Sequence, residues 1–319
     1  MTPEITHRTV DTNGIRMRIA ECGEGPLVLL LHGFPESWYS WRHQLVALAE
    51  AGYHAVAPNQ RGYAGTTCPP DVDGFVQLHM VGDAVGLLDL LGAEQAVVVG
   101  HDRGAATAWS CALLRPDRFR GVATLSVPYF PRGDASALTA LRAFYGDRAY
   151  MQYFQEPGVA EKDLESDVRA SLLATLYGAS GDAPEIPVPV VPQGGVLAMF
   201  PPLPAELPAW LTEADLDVYA AEFTESGFTG PLNWYRAIDA THALMSPWHM
   251  APVLVPALFV AGDRDLVMHF PGVADLLPAL KMFVPNLTES IVLPGCGHWT
   301  QQERPAEVSA ALTRFVAAL

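Results

Sequence analysis

Positive charge is scarce in this sequence. Lysine and arginine together number 19 against 35 aspartates and glutamates, a formal net charge of −16 over 319 residues. A surface of that sign repels polyanions, so nucleic acid and anionic membrane surfaces are excluded as partners on electrostatic grounds. Cysteine is scarce too. Cys22, Cys68, Cys111 and Cys296 are scattered, with no C-x-x-C and no cysteine–histidine cluster at zinc spacing. They read as reduced thiols of a cytoplasmic protein, with Cys296 marked because it adjoins a motif described below. Long apolar runs are missing. The run Leu27 to Leu31 falls far short of the about 18–20 residues that span a bilayer. Met1 to Val10 is polar and holds no signal-peptide core, so export by that route is not expected. No G-x-G-x-x-G follows a strand and no P-loop occurs, so neither a metal nor an organic cofactor is signalled.

What is present is an ordinary globular balance, 50% hydrophobic and 17% charged, which excludes disorder, collagen and coiled coil. The length suits two domains, or one large domain with an insertion. Thr9 to Arg18 predicts a hairpin around Asn13-Gly14, residues that tolerate positive φ. Leu27-Val28-Leu29-Leu30-Leu31 predicts a strand buried on both faces of a parallel sheet. A helix through Trp41 to Glu50 follows, then a strand at His54 to Ala57 and a helix at Phe75 to Leu91. Next come a strand at Ala96 to Val99, a helix at Ala105 to Leu114 and a strand at Gly121 to Val127. From Pro128 to Ala251 the alternation stops and the chain reads as helix and loop. Eight prolines between Pro184 and Pro208 rule out a central strand there, because proline lacks the ladder donor. The large apolar residues among them (Val190, Val191, Leu197, Met199, Phe200) predict an ordered loop against a surface. Alternation resumes with strands at Ala257 to Ala261 and Ser290 to Leu293 and a helix at Pro305 to Ala318. The pattern predicts an α/β fold, a largely parallel sheet with helices on both faces and a helical cap inserted between two strands. In such sheets the site lies at the carboxyl ends of the strands.

Chemistry-bearing residues fall at those ends. Gly100-His101-Asp102-Arg103-Gly104 joins a strand to a helix in the form G-x-D-x-G, a nucleophile elbow with aspartate at its tip. Taken alone it also reads as a helix N-cap. Gly262-Asp263-Arg264-Asp265 follows a later strand and Gly295-Cys296-Gly297-His298 the next, in the order nucleophile, acid, histidine. Asp263 and Asp265 both stand as the acid, with Asp265 preferred because it lies deeper in the loop. The loop His32-Gly33-Phe34-Pro35 is placed to supply a backbone N–H to an oxyanion hole, paired with the N–H of Arg103.

These segments, extended through Glu36-Ser37-Trp38 and Trp299-Thr300, resemble the epoxide hydrolase family of the α/β-hydrolase fold. Two segments of the inserted region carry the resemblance more specifically: Tyr150-Met151-Gln152-Tyr153-Phe154-Gln155-Glu156-Pro157-Gly158, and Ser226-Gly227-Phe228-Thr229-Gly230-Pro231-Leu232-Asn233-Trp234-Tyr235-Arg236. The likeness covers nearly the whole chain and is strongest to the catalytic domain of soluble epoxide hydrolases and bacterial relatives. It implies a mostly parallel eight-stranded sheet, with a core domain at 1–128 and 252–319 and a helical cap at 129–251. It implies Asp102 as nucleophile, Asp265 and His298 as its acid–histidine partners, and two tyrosines facing them. By position these are Tyr150 and Tyr235, with Tyr145 and Tyr153 as rivals in the first segment. Phe34, Trp38, Tyr150 and Tyr235 are then the substrate-binding residues. The expected partner is a small apolar epoxide, with a homodimer as the assembly to consider. Trp38, Met199, Phe200 and Trp234 suggest an apolar tunnel.

The implied reaction opens the epoxide by attack of Asp102 and hydrolyses the resulting ester with water activated by His298. Many relatives carry tryptophan after the nucleophile, where this chain has Arg103. Fluoroacetate-type dehalogenases read His-Asp-Arg-Gly and supply the alternative. Against it, Ala106 stands where they have a second arginine, and Tyr150-Met151 stand where a fluoride-cradling histidine and tryptophan are expected. The Arg103 side chain is expected to pair with a nearby carboxylate, or else to favour acidic substrates.

Overall fold

The computed structural model describes residues 3–319, so the first two positions of the stretch Met1 to Val10 lie outside it. Strands β1 (Thr6–Thr12) and β2 (Ile15–Cys22) form the expected hairpin. Asn13 and Gly14 take φ of 45° and 76° in its turn, the pair of positive values that matches the strand twist. The chain continues as β3 (Leu27–Leu31), α1 (Arg42–Glu50), β4 (His54–Pro58), α2 (Gln77–Leu90), β5 (Ala96–His101), α3 (Arg103–Leu114) and β6 (Phe119–Leu125). Seven helices follow with no intervening sheet strand: α4 (Ala137–Tyr145), α5 (Tyr150–Tyr153), α6 (Val159–Leu164), α7 (Val168–Gly178), α8 (Glu213–Ser226), α9 (Thr229–Arg236) and α10 (Ile238–Leu244). Then come β7 (Ala257–Gly262), α11 (Val273–Ala279), β8 (Leu287–Leu293), α12 (Thr300–Glu303) and α13 (Pro305–Ala317).

The eight strands form one sheet in the order β1-β2-β4-β3-β5-β6-β7-β8. β2 pairs antiparallel with β1 and β4, and the remaining neighbours are parallel. The period of two along each strand sorts the core into two layers. Leu27, Leu29, Leu31, Val98 and Phe259 meet α2 and α3 on one face through Leu87 and Trp109. Val28, Leu30, Val97, Val99 and Leu258 meet α1 and α13 on the other through Leu45 and Leu312. Each fully buried aliphatic side chain of this kind contributes ~1.5–3 kcal/mol.

The hairpin strands and β5 (Ala96–His101) run longer than their pattern-based ranges, and β6 and β8 start earlier than theirs. β8 starts at Leu287 rather than Ser290, because it is an edge strand whose residues 288–290 face solvent and carry no apolar signal. β6 starts at Phe119 and ends at Leu125, because Ser126 turns to φ 69° and leaves the extended conformation. Within the insertion, the proline-rich loop lays Val191 and Val196 into an apolar cluster with Leu172 and Leu176, and Leu197, Met199 and Phe200 pack against it. Among the described residues no helix is long and apolar enough to cross a membrane.

Gly100 and Gly104 flank the β5–α3 turn. A Cβ on Gly104 would fall inside van der Waals contact of the Leu31 and His32 carbonyl oxygens, and one on Gly100 would strike the Gly104 carbonyl. Those obstacles are backbone and cannot swing aside. Gly104→Ala is therefore expected to cost about 1–3 kcal/mol or more in urea unfolding. Gly133→Ala, with open space at the site, should stay within about 0.5 kcal/mol of the parent. Equal stability of the two variants would show that α3 can move off β3 freely.

Candidate active site

Parallel strands point the same way, so the loops after β3, β5, β7 and β8 gather at one edge of the sheet. Asp102 sits at the tip of the β5–α3 turn with φ 50° and ψ −118°, a strained conformation for a residue with a side chain. Its Oδ1 accepts the Phe34 N–H at 2.9 Å. Its Oδ2 lies 3.5 Å from His298 Nε2. On the other side of the ring, His298 Nδ1 is 2.8 Å from Asp265 Oδ1, which also accepts the Val267 N–H at 2.9 Å. Asp265 is completely buried, and its Oδ2 has no partner among the described residues. Asp263, the other aspartate of that loop, instead accepts the Gly295 N–H at 2.7 Å and ties two loops together. The geometry thus separates two aspartates that the sequence left open.

The charges follow from these contacts. Burial opposes ionisation of Asp102, but the His298 imidazole, His101 and the Phe34 N–H outweigh it and hold the carboxyl down at about 2. Burial also opposes a charge on His298, yet the Asp265 and Asp102 carboxylates outweigh it and raise the imidazole well above its ordinary range. Two carboxylates therefore flank one cation.

Beneath them lies a polar network that sequence reasoning left without a role. Glu36 Oε2 is 2.6 Å from His101 Nδ1 and accepts the Gly33 N–H at 2.9 Å, while Oε1 accepts from the Gln301 and Gln302 amides. His101 Nε2 meets the His298 carbonyl at 2.7 Å, so that nitrogen carries its proton. Glu36 and His101 are fully buried. The available sequence signal was a carboxylate and a histidine inside two short motifs at the ends of buried strands.

The insertion closes the site from above. Tyr150 and Tyr235 stand edge to face with ring centroids 6.1 Å apart, and Phe154 packs against both. Phe34 packs against Tyr235 at 5.5 Å and against Phe154 and Phe228. Phe154 and Phe228 were quoted in motifs but not singled out. Among the described residues neither the Tyr150 nor the Tyr235 hydroxyl bonds to a protein group, whereas those of Tyr39, Tyr63, Tyr129, Tyr153 and Tyr219 do. Tyr153 donates to Asp163 at 2.7 Å, and Tyr145, whose hydroxyl also has no partner among the described residues, is outside the reach of the Asp102 charge; of the three rivals Tyr150 is the one packed against Tyr235 and facing that charge. Burial, and then the Asp102 charge, push both phenols upward, so they stay protonated at neutral pH.

Three expectations need correction or narrowing. Trp38 is not brought to this cleft: its ring packs on His7 and Tyr39 and its indole N–H points at Glu222, which absorbs its polar end. Trp234 is a buried strut, donating to the Arg61 carbonyl at 3.0 Å. Arg103 finds no carboxylate; it donates to the Trp234 carbonyl at 3.0 Å and lies over the Tyr235 ring. Its backbone N–H heads α3 with no acceptor among the described residues. Cys296 is buried and its thiol is pushed up by burial, so it is inert. Among the described residues no group of three His, Cys, Asp or Glu side chains could hold a metal ion.

The fold and this edge of the sheet define an α/β hydrolase with aspartate at the elbow. The description of the alpha/beta hydrolase fold matches residues 26–176. Epoxide hydrolase 3 of Siraitia grosvenorii is 46% identical over 316 residues, covering 98% of both chains. Epoxide hydrolase A of Mycobacterium tuberculosis (strain ATCC 25618 / H37Rv) is 43% identical over 319 residues, again 98% of each. Among solved structures, an epoxide hydrolase from an endophytic Streptomyces superposes with a TM-score of 0.92 at 47% identity, over 98% of this chain and 96% of that one. One from Vigna radiata gives 0.91 at 40% identity over 99% of both. The chain belongs to the epoxide hydrolase family.

Stability measurements on three variants check the geometry without any substrate. Tyr150→Phe removes a hydroxyl that bonds to no protein group and should leave stability within about 0.5 kcal/mol. Tyr219→Phe removes the 2.8 Å bond to Gln302 and should cost about 1 kcal/mol, the Gln302 oxygen keeping its Arg42 donor at 2.9 Å. Glu36→Ala leaves the Gly33 N–H and the Gln301 amide without their buried acceptor and should cost about 1–3 kcal/mol or more. A Tyr150→Phe loss as large as that of Tyr219→Phe would mean that the hydroxyl is engaged after all.

Proposed function

We propose that this chain hydrolyses epoxides to vicinal diols through an ester on Asp102. The observation that carries the reading is the pair of unengaged phenols set beside a carboxylate nucleophile. An oxirane oxygen leaves as a strongly basic alkoxide and needs a proton donor as it forms, which Tyr150 and Tyr235 supply. Asp102 Oδ1 already rests on the Phe34 N–H, so Oδ2 is the atom free to attack. The Oδ2–carbon bond forms, the carbon–oxygen bond of the ring breaks, and the oxygen takes a phenolic proton.

Water then attacks Asp102 Cγ and gives its proton to His298 Nε2. The oxyanion rests on the N–H groups of Phe34 and Arg103, where one donor of this type is worth ~3–4 kcal/mol. Collapse breaks the Cγ–Oδ2 bond and returns the proton to the departing alcohol. Ester formation also erases the Asp102 charge. His298 then loses one of the two carboxylates that raise it, gives up its proton to solvent and becomes a base at the step that requires one; it regains that proton once Asp102 is a carboxylate again.

The halide-displacing alternative is not favoured: phenols suit an alkoxide better than fluoride, and Ala106 leaves Arg103 without a second arginine. We divide the chain into a core, 1–128 and 252–319, and a cap, 129–251, with an apolar epoxide held between them by Phe34, Tyr150 and Tyr235. The four free thiols fit a reducing cytoplasm, to which we assign it.

His298→Gln should stall ester hydrolysis. Intact-protein mass spectrometry after styrene oxide should show an adduct of the whole epoxide mass, absent in Asp102→Asn. An adduct from fluoroacetate alone, carrying the acid without fluorine, would replace this reading with dehalogenation. Replacing both phenols by Phe should slow ester formation by about 10²–10⁴-fold.

The charge argument has its own check. Asp102→Asn removes the negative charge as the ester does, so the NMR titration of His298 should move down relative to the parent. The rate of ester hydrolysis should rise with pH through that lowered value, because the base must be unprotonated. An unmoved His298 titration would count against the charge-coupled switch.

A further inference from the structure

Arg103 is a cation in an awkward place. It opens α3, where the positive end of the helix dipole disfavours it. Three other arginines of the interior have carboxylate partners, Arg61 with Asp83, Arg42 with Asp215 and Arg236 with Glu161, while Arg264 is held by the Ala183 carbonyl instead. Arg103 has none among the described residues. Its Nε is sealed from solvent without an acceptor. Its Nη2 is fastened to the Trp234 carbonyl at 3.0 Å, and the guanidinium carbon sits 5.2 Å from the centre of the Tyr235 ring. A cation over an aromatic face is attracted to the neutral ring, and more strongly to a ring that becomes negative.

We propose that Arg103 is a positioning residue for ring opening, whose cation, stacked on Tyr235, favours the state in which that phenol passes its proton to the oxirane oxygen. The proposal rests on the reading of Tyr235 as proton donor. As the Oδ2–carbon bond forms, negative charge leaves Asp102. The ring carbon–oxygen electron pair goes to the oxirane oxygen, which takes the Tyr235 proton, and the charge arrives on the phenol beneath the guanidinium. That gain is made only on the way to the ester, so it speeds the step rather than merely binding substrate. The proton released when Asp102 returns to its carboxylate form restores the phenol. Consistent with this, the Arg103 charge pulls the ionisation of both phenols downward, against burial and Asp102.

Single-turnover measurements on the full chain with styrene oxide separate ester formation from ester hydrolysis. Arg103→Met should slow ester formation about tenfold, the scale of a desolvated cation–ring contact, and leave hydrolysis within about twofold. Arg103→Lys, which keeps the charge, should recover most of the loss. 3-Fluorotyrosine at position 235, a more acidic phenol, should rescue Arg103→Met more than it helps the parent. Should Arg103→Met fail to fold, Arg103→Gln reads the same loss of charge. Unchanged ester formation overturns the proposal. So does an equal fall of both steps in the Met and Lys variants with no rescue by the fluorinated phenol, which marks a merely structural side chain. An effect on a glycidate but not on styrene oxide also overturns it, and makes Arg103 an anchor for an acidic substrate. If the parent forms no ester with styrene oxide, or Asp102→Asn forms the same one, the underlying reading of the site fails, and the proposal with it.

Discussion

The buried contact between Glu36 and His101 is the constraint on which the site depends. One carboxylate, reached by no solvent, joins the Gly33 N–H, the His101 ring and the amides of Gln301 and Gln302. His101 in turn reaches the carbonyl of His298, which also accepts from the Ser126 hydroxyl at 2.7 Å. The loops after β3, β5, β6 and β8 are thereby tied to one point. A buried ionic group is costly unless its hydrogen bonds are satisfied, and here partners are found on both carboxylate oxygens. The position of the Phe34 N–H against Asp102, and of His298 between two aspartates, follows from that anchoring.

Above this anchor, the chemistry is arranged by where charge can reside. Asp102 and Asp265 make His298 cationic in the resting state, and His298 makes Asp102 a carboxylate. The two phenols are kept neutral by burial and then by the same Asp102 charge. A carboxylate to attack and phenols to donate are the protonation states that opening an epoxide requires. Proton inventory and nucleophile are therefore set by one compact set of contacts rather than by separately tuned groups.

The inserted helices are fastened to the core at the site itself. The His298 N–H donates to the Ala179 carbonyl at 2.9 Å, the Trp299 indole to Leu176 at 2.7 Å, and the Trp234 indole to Arg61 at 3.0 Å. Trp299, Tyr63 and Phe75 of the core enter the same apolar cluster as Leu172, Phe223 and Tyr235 of the insertion. The insertion that carries the tyrosines is thus tied to the loop with the histidine, to the loop after β4 and, through the Arg103 side chain on the Trp234 carbonyl, to the start of α3.

Much of this was legible along the chain. Buried strands announce themselves as apolar runs, and short-range chemistry announces itself as motifs, so the parallel sheet, the elbow at Asp102 and the later strand-end loops with their aspartates and His298 could be read directly. The choices that stayed open concern side-chain direction, which sequence spacing does not encode. Asp263 and Asp265 are two residues apart, yet one ties a turn and the other holds His298. Tyr150 and Tyr153 share one helical turn, yet one hydroxyl is spent on Asp163 and the other is not. Trp38 sits in a strand-end motif but turns toward His7 and Glu222. Arg103 lies next to Asp102, and only packing places it over Tyr235 rather than on a carboxylate. By itself the sequence determined which residues lie at the strand ends, because burial and turn chemistry are local. Which of them meet was decided by the tertiary structure alone, because residues such as Glu36 and Gln301, 265 positions apart, are neighbours only once the sheet has closed the distance.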